Sequence, residues 1–480
     1  MTVTELNTAE SAGAGSTLLQ AFEAHKAAAS REPFPSYEAR RANLERLRRA
    51  VLDRRDEIAD AVIADYGSRS RHETVLAEVL GVTETIGYCL KHLRRWMRPQ
   101  SRHIELHWLP GSGTIVPQPL GVIGIIAPWN YPVNLCLAPA VYALAAGNRV
   151  MLKPSELTPR TADVIHDLID ALFPSDLISV HRGGVEVGIA FSKVPFDHLL
   201  YTGSTSVGRH ILRAAADNLT PVTLELGGKS PVIIHEAHSI KHAAERICNA
   251  KLFNAGQTCI APDYVLVHPS QLDAFVSCFQ EEAAKKYATL ANNPDYTSII
   301  NAQHKSRLEA YLADASEKGA EITDVNPAGE SFEEAGNKLM PRLVRNVSDD
   351  MVIMQDEIFG PLLPVVPVDS LDDAIAYVNA RPRPLALYYF DFNASRQKSV
   401  IERTHAGGMS VNDCLWHYAQ DDLPFGGIGP SGMGAYHGKE GFETFSHHKS
   451  VFTQGRLSGT WLMSPPYGRF LERFMSLFLR

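Results

Sequence analysis

Short apolar segments that alternate with helix-like stretches constrain the fold of this chain more than any other feature. From Val122–Ala127 to Val222–Leu224 such segments recur, with amphipathic stretches such as Thr161–Leu172 between them. Buried strands separated by helices form parallel βαβ units with helices on both faces of the sheet. A second series begins at Pro231, so we predict two α/β domains that meet near Leu226-Gly227-Gly228. The other predicted strands are Val150–Leu152, Ile178–Val180, His198–Tyr201, Val232–Ile234, Tyr264–Val267, Leu362–Pro367 and Leu387–Phe390.

The residues before this alternation predict helices and then a β-hairpin. Apolar residues at three- and four-residue steps indicate an amphipathic helix within 43–66, and a second helix is predicted over about 73–97. Between Arg98 and Leu120 apolar and polar residues alternate as far as Trp108, and Gly111-Ser112-Gly113 marks a turn. We therefore predict a hairpin inserted between the helical and the strand segments.

Composition and charge exclude several classes of function. The chain has 480 residues, of which 45% are hydrophobic and 21% charged, which indicates a globular protein of more than one domain. Its net charge of -8 leaves no basic surplus for phosphates, so no nucleic-acid partner is expected. The 6 cysteines form no C-x-x-C pair, which favours reduced thiols in the cytoplasm and no metal site.

The two ends of the chain give weaker signals. Met1–Gly15 lacks the basic-then-apolar order of a signal peptide, and we predict a disordered leader there. No apolar run reaches the roughly 18 residues that span a bilayer, so no transmembrane segment is expected. Tyr467–Arg480 is amphipathic, and it suits contact with a partner subunit or with a membrane surface.

Cys259 is the candidate nucleophile. It follows Gly256-Gln257-Thr258, a run that ends the preceding predicted helix and suits an accessible thiol beside oriented backbone N–H groups. Such groups favour the thiolate, which is the reactive form. Because most cysteines are small buried hydrophobes, a position in the core is the alternative for Cys259.

Glu225 and Asn130 are candidates for proton transfer and for oxyanion binding. Glu225 ends an apolar strand, and carboxylates in that place face the ligand crevice of an α/β fold. Beside a nucleophilic cysteine it could act as a general base, whereas alone it would be a surface acid. Asn130 lies in Pro128-Trp129-Asn130-Tyr131-Pro132, a rigid loop that could hold its amide N–H₂ near a reacting carbonyl.

Two strand-to-helix turns are candidate cofactor sites. Gly203-Ser204-Thr205-Ser206-Val207-Gly208 follows a strand and opens a helix, so its backbone N–H groups could bind a pyrophosphate. This run departs from G-x-G-x-x-G, and an ordinary turn is the alternative. Lys153 and Glu156 follow another strand and could grip a ribose diol, although a capped helix start explains them equally well.

Together these motifs resemble the aldehyde dehydrogenase superfamily over nearly the whole chain. Each motif alone is weak evidence for the family, whereas all of them in the family's order are strong evidence. Within the family, the run 430–439 is similar to the class 3 branch, and the runs 259–264 and 465–469 are similar to bacterial coniferyl aldehyde dehydrogenases. Tyr201 replaces the usual phenylalanine and is not expected to affect binding. The matching motifs are Pro128-Trp129-Asn130, Lys153-Pro154-Ser155-Glu156, Thr202-Gly203-Ser204, Glu225-Leu226-Gly227-Gly228, Gly256-Gln257-Thr258-Cys259, Glu357-Ile358-Phe359-Gly360-Pro361 and Pro424-Phe425-Gly426-Gly427.

The resemblance implies a reaction and the residues that perform it. Cys259 attacks the aldehyde carbon, Asn130 stabilises the oxyanion, hydride passes to a nicotinamide, and Glu225 activates the water that hydrolyses the thioester. Glu156 would repel a 2′-phosphate, which favours NAD, while Lys153 leaves NADP possible. The cofactor-binding residues that the resemblance implies are Trp129, Lys153, Glu156, Gly203, Ser204, Gly208, Glu357 and Phe359.

The resemblance also implies the aldehyde dehydrogenase fold, with two Rossmann-like parallel-sheet domains and a small β element for oligomerisation. Residues 1–97 and 121–225 would bind NAD(P), and 226–428 would form the catalytic domain around Cys259. Residues 98–120 and 429–480 would supply the oligomerisation hairpin and C-terminal segment of a homodimer. The alternating strand of the hairpin agrees, because a lone hairpin could not bury it.

The implied substrate is coniferyl aldehyde or another hydrophobic aromatic aldehyde, with a medium- or long-chain aliphatic aldehyde as the alternative. The segment 414–418, which includes Trp416, either lines the substrate channel or packs in the core. Two other interpretations stay open. A dehydrogenase that passes its acyl group to coenzyme A is disfavoured, because Glu225 would direct the thioester to water. A non-catalytic binding protein is disfavoured because Cys259, Glu225 and Asn130 occur together.

Overall fold

Two large sheets hold the apolar strands in the computed structural model, which describes residues 3–478. The first sheet has 6 strands in the order β15-β7-β6-β3-β4-β5, all parallel except β15. Helices cover both faces, which is why these strands are almost continuous runs of apolar residues. The predicted strands are confirmed, with ends that differ by one or two residues. The strands are β3 (Val122–Ile126), β4 (Arg149–Lys153), β5 (Ile178–Val180), β6 (His198–Gly203), β7 (Val222–Leu226) and β15 (Gly432–Met433).

The second sheet has 7 strands in the order β10-β11-β12-β9-β8-β13-β14, and only β10 is antiparallel to its neighbour. Its central strands are buried, and their apolar side chains form one core with those of the first sheet. The strands are β8 (Pro231–Ile234), β9 (Tyr264–Val267), β10 (Glu321–Asp324), β11 (Arg342–Arg345), β12 (Leu362–Pro367), β13 (Ala386–Phe390) and β14 (Gly408–Val411).

A third, antiparallel sheet has the strand order β1-β2-β16, with β1 at Gln100–Arg102, β2 at Ser112–Pro119 and β16 at Ser446–Thr453. The hairpin is shorter than predicted, because Leu106–Trp108 forms a 3₁₀ turn instead of continuing the strand. Pro110, which has no N–H to donate, follows that turn. The partner strand β16 comes from the C-terminal segment.

Helices surround the sheets, and their positions correct two predictions. The predicted helix over 43–66 is two helices that meet at Arg54, and the one over 73–97 contains a π-helical segment, Val75–Leu80. No helix within residues 3–478 is long and apolar enough to cross a membrane. The helices are α1 (Val3–Arg31), α2 (Tyr37–Asp53), α3 (Arg55–Tyr66), α4 (Arg71–Thr74), α5 (Gly81–Trp96), α6 (Asn134–Ala146), α7 (Pro159–Leu172), α8 (Val185–Ser192), α9 (Thr205–Ala216), α10 (Ile240–Leu252), α11 (Leu272–Lys286), α12 (Ala302–Glu317), α13 (Val352–Gln355), α14 (Leu371–Asn379), α15 (Ala394–Arg403), α16 (Gly438–Thr444) and α17 (Arg469–Phe478).

The prediction of a disordered leader is wrong from Val3 onward, since α1 begins there, and Met1 and Thr2 lie outside the described residues. Leu18 and Phe22 of α1 pack in a second apolar core against the first sheet. Packing anchors this part of the helix, and adding residues to an existing helix costs far less than nucleating one.

Part of the C-terminal segment joins the first sheet. In β15, Gly432 pairs with Glu225 and Met433 with Leu224 of β7. The helix α16 that follows packs against α6, where Gly441 approaches the ring of Tyr142. The chain therefore closes the edge of the first sheet next to Glu225 before it reaches the third sheet.

Candidate active site

Cys259 follows a loop whose backbone has an uncommon conformation. After α10, Asn254, Ala255 and Gly256 have φ values of 51, 51 and 75°. A Cβ at Gly256 would lie 2.3 Å from the carbonyl oxygen of Gly360, so only glycine fits there. Consecutive left-handed residues store strain, and the surrounding structure must hold them in place.

Gln257 supplies much of that support. Its side chain is buried, and its Nε2 donates to the carbonyl oxygens of Asn254 (3.0 Å) and Ser298 (2.9 Å). Its Oε1 accepts the N–H of Ile300 at 2.9 Å. The side-chain amide of Gln257, two residues before Cys259, therefore anchors the loop.

Asn130 reaches the same loop from the first sheet. Its Nδ2 donates to the carbonyl oxygen of Gln257 at 3.2 Å, and the hydroxyl groups of Tyr131 and Thr258 lie 2.6 Å apart. The amide predicted to bind the oxyanion is buried and directed at the segment that carries Cys259. The structure thus brings these two predicted residues together across the boundary between the sheets.

Glu225 is the third group at this boundary. Its side chain is only 3% exposed, and within residues 3–478 neither carboxyl oxygen has a hydrogen-bond partner. Burial raises its pKa well above the ordinary value, because an ionised carboxylate loses its hydration there. The negative charge of Glu225 also raises the pKa of the Cys259 thiol, so the two groups lie within electrostatic reach.

The sequence predicts a stabilised thiolate at Cys259, and the structure corrects this. The backbone N–H groups of Cys259 and Ile260 do lower the pKa of the thiol. Burial and the nearby carboxylates of Glu357 and Glu225 outweigh them and raise it. The chain by itself therefore holds Cys259 as a neutral thiol, and ionisation requires a base or a positive charge.

Glu357 and Phe359 lie on a tightly held loop beside this centre. A Cβ at Gly227 would lie 2.0 Å from Glu357 Oε2, so the double glycine makes room for this carboxylate. Burial raises the pKa of Glu357 to about 8. Phe359 meets the ring of Trp129 edge-on at 5.3 Å. Arg307 fixes the loop by donating to the carbonyl oxygens at 357 and 358 (3.2 and 2.8 Å).

The remaining predicted cofactor residues line the carboxyl ends of β4 and β6. Lys153 Nζ donates to Glu156 Oε2 at 2.8 Å, and neither residue caps a helix. Burial works against the charge of Glu156, but the bonds from Lys153 and from its own backbone N–H outweigh it, so its pKa is lowered. Ser204 caps α9 by accepting the N–H of Val207 at 3.4 Å.

Two glycines keep this end of the first sheet open. A Cβ at Gly203 would lie 2.2 Å from the Tyr201 hydroxyl, and one at Gly208 would lie 2.8 Å from Leu226. The N-terminus of α9 and the Lys153–Glu156 pair follow the carboxyl ends of β6 and β4, and Glu357 Oε1 is buried with no hydrogen-bond partner among residues 3–478. These groups fit the phosphates and the two riboses of a dinucleotide.

Two tyrosines lie near the Cys259 thiol: Tyr418, from the segment 414–418 that was expected in the substrate channel or the core, and Tyr436, for which no such role was predicted. The charges of Cys259 and Glu225 both raise the pKa values of Tyr418 and Tyr436, so all four side chains are close. Burial is the main cause of both shifts. The aromatic character of the segment 414–418 was the only sequence signal, and it did not show which ring faces the centre.

The segment 414–418 divides between the two environments that the sequence left open. Cys414 and His417 are buried, and His417 Nδ1 bonds the Ser410 hydroxyl at 2.9 Å. Tyr418 accepts a hydrogen bond from Asn134 Nδ2 at 3.2 Å, and Trp416 is 48% exposed. The segment is therefore partly core and partly available to a ligand.

Sequence comparison identifies close relatives. The profile of the aldehyde dehydrogenase family matches residues 2–451. A protein of Pseudomonas aeruginosa named "Probable coniferyl aldehyde dehydrogenase" is 50% identical over 96% of each chain. The 4,4'-diaponeurosporen-aldehyde dehydrogenase of Staphylococcus aureus is 41% identical, and the alignment covers 90% of this chain and 93% of the relative.

Solved structures agree with these relatives. The substrate-bound AldH of Staphylococcus aureus superposes with a TM-score of 0.90 at 38% identity, over 96% of this chain and 99% of that one. An aldehyde dehydrogenase of Mycobacterium tuberculosis in complex with NAD+ gives a TM-score of 0.82 at 28% identity, over 91% and 90% of the two chains. The chain belongs to the aldehyde dehydrogenase family and is an oxidoreductase that acts on aldehydes.

Proposed function

We propose that this enzyme oxidises coniferyl aldehyde, or a related hydrophobic aromatic aldehyde, to the carboxylic acid with NAD. The meeting of Cys259, Asn130 and Glu225 at the boundary between the two large sheets carries the proposed mechanism. The substrate class is supported by the 50% identical relative, whose name specifies coniferyl aldehyde.

In the acylation half-reaction, the Cys259 thiol first loses its proton to a base. Sγ then bonds the aldehyde carbon, and the electron pair of the C=O bond moves to the oxygen, which becomes an oxyanion. The Asn130 amide and the Cys259 backbone N–H donate to that oxygen, where each fixed donor stabilises developing charge. NAD, when bound, supplies the acceptor for the hydride that leaves the tetrahedral carbon. Cys259 is then left as a thioester.

In the deacylation half-reaction, Glu225 takes a proton from the water that attacks the thioester. Its carboxyl oxygens have no other hydrogen-bond partner among the described residues, so they can accept from water. Because burial raises the pKa of Glu225, its ionised fraction increases over a pH range above that of an ordinary carboxyl group. Hydrolysis should accelerate over that range.

The preference for NAD rests on Glu156. A carboxylate whose pKa is lowered by Lys153 accepts hydrogen bonds from ribose hydroxyls and repels a 2′-phosphate. Lys153 remains close enough to permit some use of NADP. A higher kcat/KM with NADP than with NAD would contradict this assignment.

A panel of acetaldehyde, hexanal, benzaldehyde and coniferyl aldehyde tests the substrate. We expect the highest kcat/KM with coniferyl aldehyde, because flat apolar rings gain more from burial than small hydrated aldehydes do. A steep rise with alkyl chain length instead would favour a long-chain aldehyde. The 41% identical Staphylococcus aureus relative, whose name specifies 4,4'-diaponeurosporen-aldehyde and not coniferyl aldehyde, keeps a second substrate class as a candidate.

The proposed assembly is a homodimer in the cytoplasm, organised as residues 1–97 with 121–225 for the cofactor, 226–428 for catalysis, and 98–120 with 429–480 for oligomerisation. The exposed apolar side chains on and beside the third sheet support the interface. The cysteines at 89, 136, 248, 259, 278 and 414 are free thiols, which fits a reducing compartment.

A further inference from the structure

The main-chain carbonyl of Asn130 is held by three side chains. It accepts hydrogen bonds from Arg69 Nη1 at 2.9 Å, from the Tyr66 hydroxyl at 3.1 Å and from Asn254 Nδ2 at 3.3 Å. A carbonyl oxygen has two lone pairs, so this acceptor is saturated. Tyr66 and Arg69 come from the end of α3 and the turn after it, outside every motif that the sequence singled out.

Arg69 carries its charge inside the core. Its side chain is fully buried, and its Cζ lies 4.7 Å from the ring centre of Tyr66 and 5.2 Å from that of Tyr131. Its Nη2 lies 3.4 Å from Glu78 Oε1, and the side chain of Glu78 is also fully buried. A buried ion pair of this kind is costly to desolvate, so it needs a specific reason to persist.

Glu78 holds the other end of the same loop. Its Oε2 accepts the N–H groups of Val133 (3.0 Å) and Asn134 (2.8 Å), where α6 begins. One ion pair thus spans the loop from Asn130 to Asn134. Arg69 bonds the first residue of the span, and Glu78 bonds the last two.

We propose that Arg69, Glu78 and Tyr66 are positioning residues that fix the Asn130 amide as the oxyanion donor. The proposal rests on the role given to Asn130 above. Turning the 130–131 peptide would break all three bonds to the Asn130 carbonyl, and the side-chain amide would move with it. A displacement of about 1 Å at a reacting centre costs on the order of 10²-fold in rate.

A double-mutant cycle tests this coupling. Asn130→Ala should lower the acylation rate, measured as the NADH burst, by about 10²-fold to 10³-fold. Tyr66→Phe removes one donor and no charge, and it should lower the burst rate about 5-fold to 10-fold, a part of that displacement cost. In the Asn130→Ala background, Tyr66→Phe should change the burst rate less than about twofold, because the group that it positions is already gone.

Tyr296→Phe is the matched control. Tyr296 is another fully buried tyrosine, and its hydroxyl donates to the Leu339 carbonyl at 2.7 Å, a main-chain acceptor that belongs to no site residue. It should lower Tm as Tyr66→Phe does but leave the burst rate unchanged. Arg69→Lys keeps the charge but not the forked geometry, and it should slow the burst without weakening NADH binding, measured by fluorescence titration.

The outcomes separate two failures. A near wild-type burst in Asn130→Ala would overturn the role of Asn130 itself. A slow burst in Asn130→Ala that Tyr66→Phe slows further by its full factor would leave that role intact and overturn the positioning. An equal loss of NADH affinity and burst rate in Arg69→Lys would also overturn it, because the ion pair would then only support the fold.

Discussion

Proteins usually bury apolar groups and expose polar ones, and two regions of this molecule depart from that rule in opposite ways. At the boundary between the two large sheets, Glu225 is 3% exposed and its carboxyl oxygens have no hydrogen-bond partner within residues 3–478. At the third sheet, Leu106 is 80% and Phe452 53% exposed. The first region buries an ionisable carboxyl group, and the second exposes apolar surface.

Both departures cost free energy in an isolated subunit, so each indicates what the region binds. Burying a carboxyl group without a hydrogen-bond partner costs desolvation free energy, which fits the proton-transfer role proposed for Glu225. An apolar patch on a surface is typical of a protein interface. The ring centres of Phe474 in α17 and His107 lie 6.1 Å apart, so the apolar patch extends to the C-terminal helix. The surroundings of Glu225 are therefore the proposed chemical site, and the exposed apolar patch is the proposed assembly site.

The largest effect should come from the nucleophile. Cys259→Ala should lower turnover by about 10⁴-fold or more, because hydride does not leave a planar aldehyde until a nucleophile makes the carbon tetrahedral. NADH binding, followed by fluorescence, should be largely intact. Cys248→Ala, at a fully buried cysteine in the core, is the control. Wild-type turnover by Cys259→Ala would exclude Cys259 and direct the search to the other cysteines.

Glu225→Gln should slow thioester hydrolysis by about 10²-fold to 10⁴-fold while the NADH burst persists. In the wild type, the steady-state rate should rise with pH above the usual carboxyl range, since burial raises the pKa of Glu225. The variant should lose this rise. If the burst disappears together with turnover, Glu225 acts before acylation, for example on the Cys259 thiol.

Most strands of the two large sheets could be predicted from the sequence, because buried parallel strands are short apolar runs bounded by helices. The strands β10, β11, β14 and β15 were not predicted. The Cys259 loop could be placed from its motif, but its strain and the anchoring by Gln257 depend on Ser298 and Ile300, which are distant in sequence. The Arg69–Glu78 ion pair could not be predicted, because in the sequence its two members look like ordinary polar residues near helix ends.

The errors at the third sheet have the same cause, a partner segment that is distant in sequence. The alternation up to Trp108 predicted a strand because the pattern does not show whether a partner strand lies opposite. In the structure β1 pairs only residues 100–102, and β16 from the far end of the chain takes the other edge of β2. Pairings between distant segments, such as β15 with β7, have no local signal.

Leu106→Glu tests the assembly site. A charge in the proposed apolar interface should convert dimers into monomers, measured by sedimentation velocity, because its burial would cost several kcal/mol. Leu219→Glu is the control, since Leu219 is 89% exposed and follows α9, a helix that packs on the first sheet. A Leu106→Glu protein that sediments like the wild type would remove this patch from the interface.

Trp416→Ala should have the smallest effect of these variants. Trp416 is 48% exposed on the segment that carries Tyr418, whose pKa responds to the charge of Cys259. If its ring packs on the substrate, its loss should lower the ratio of kcat/KM for coniferyl aldehyde over acetaldehyde. A contact between aromatic rings is worth about 0.5–1.5 kcal/mol, so the ratio should fall roughly 2-fold to 12-fold.

Trp108→Ala is the matched control for Trp416→Ala, at a tryptophan near the proposed assembly site. Trp108 is 36% exposed in the turn beside the third sheet, and its removal should leave the substrate ratio unchanged. An unchanged ratio in Trp416→Ala would mean that the exposed ring does not face the aldehyde. A fall of the ratio in Trp108→Ala would instead show that the assembly region reaches the substrate channel, and the separation of the two sites would then be wrong.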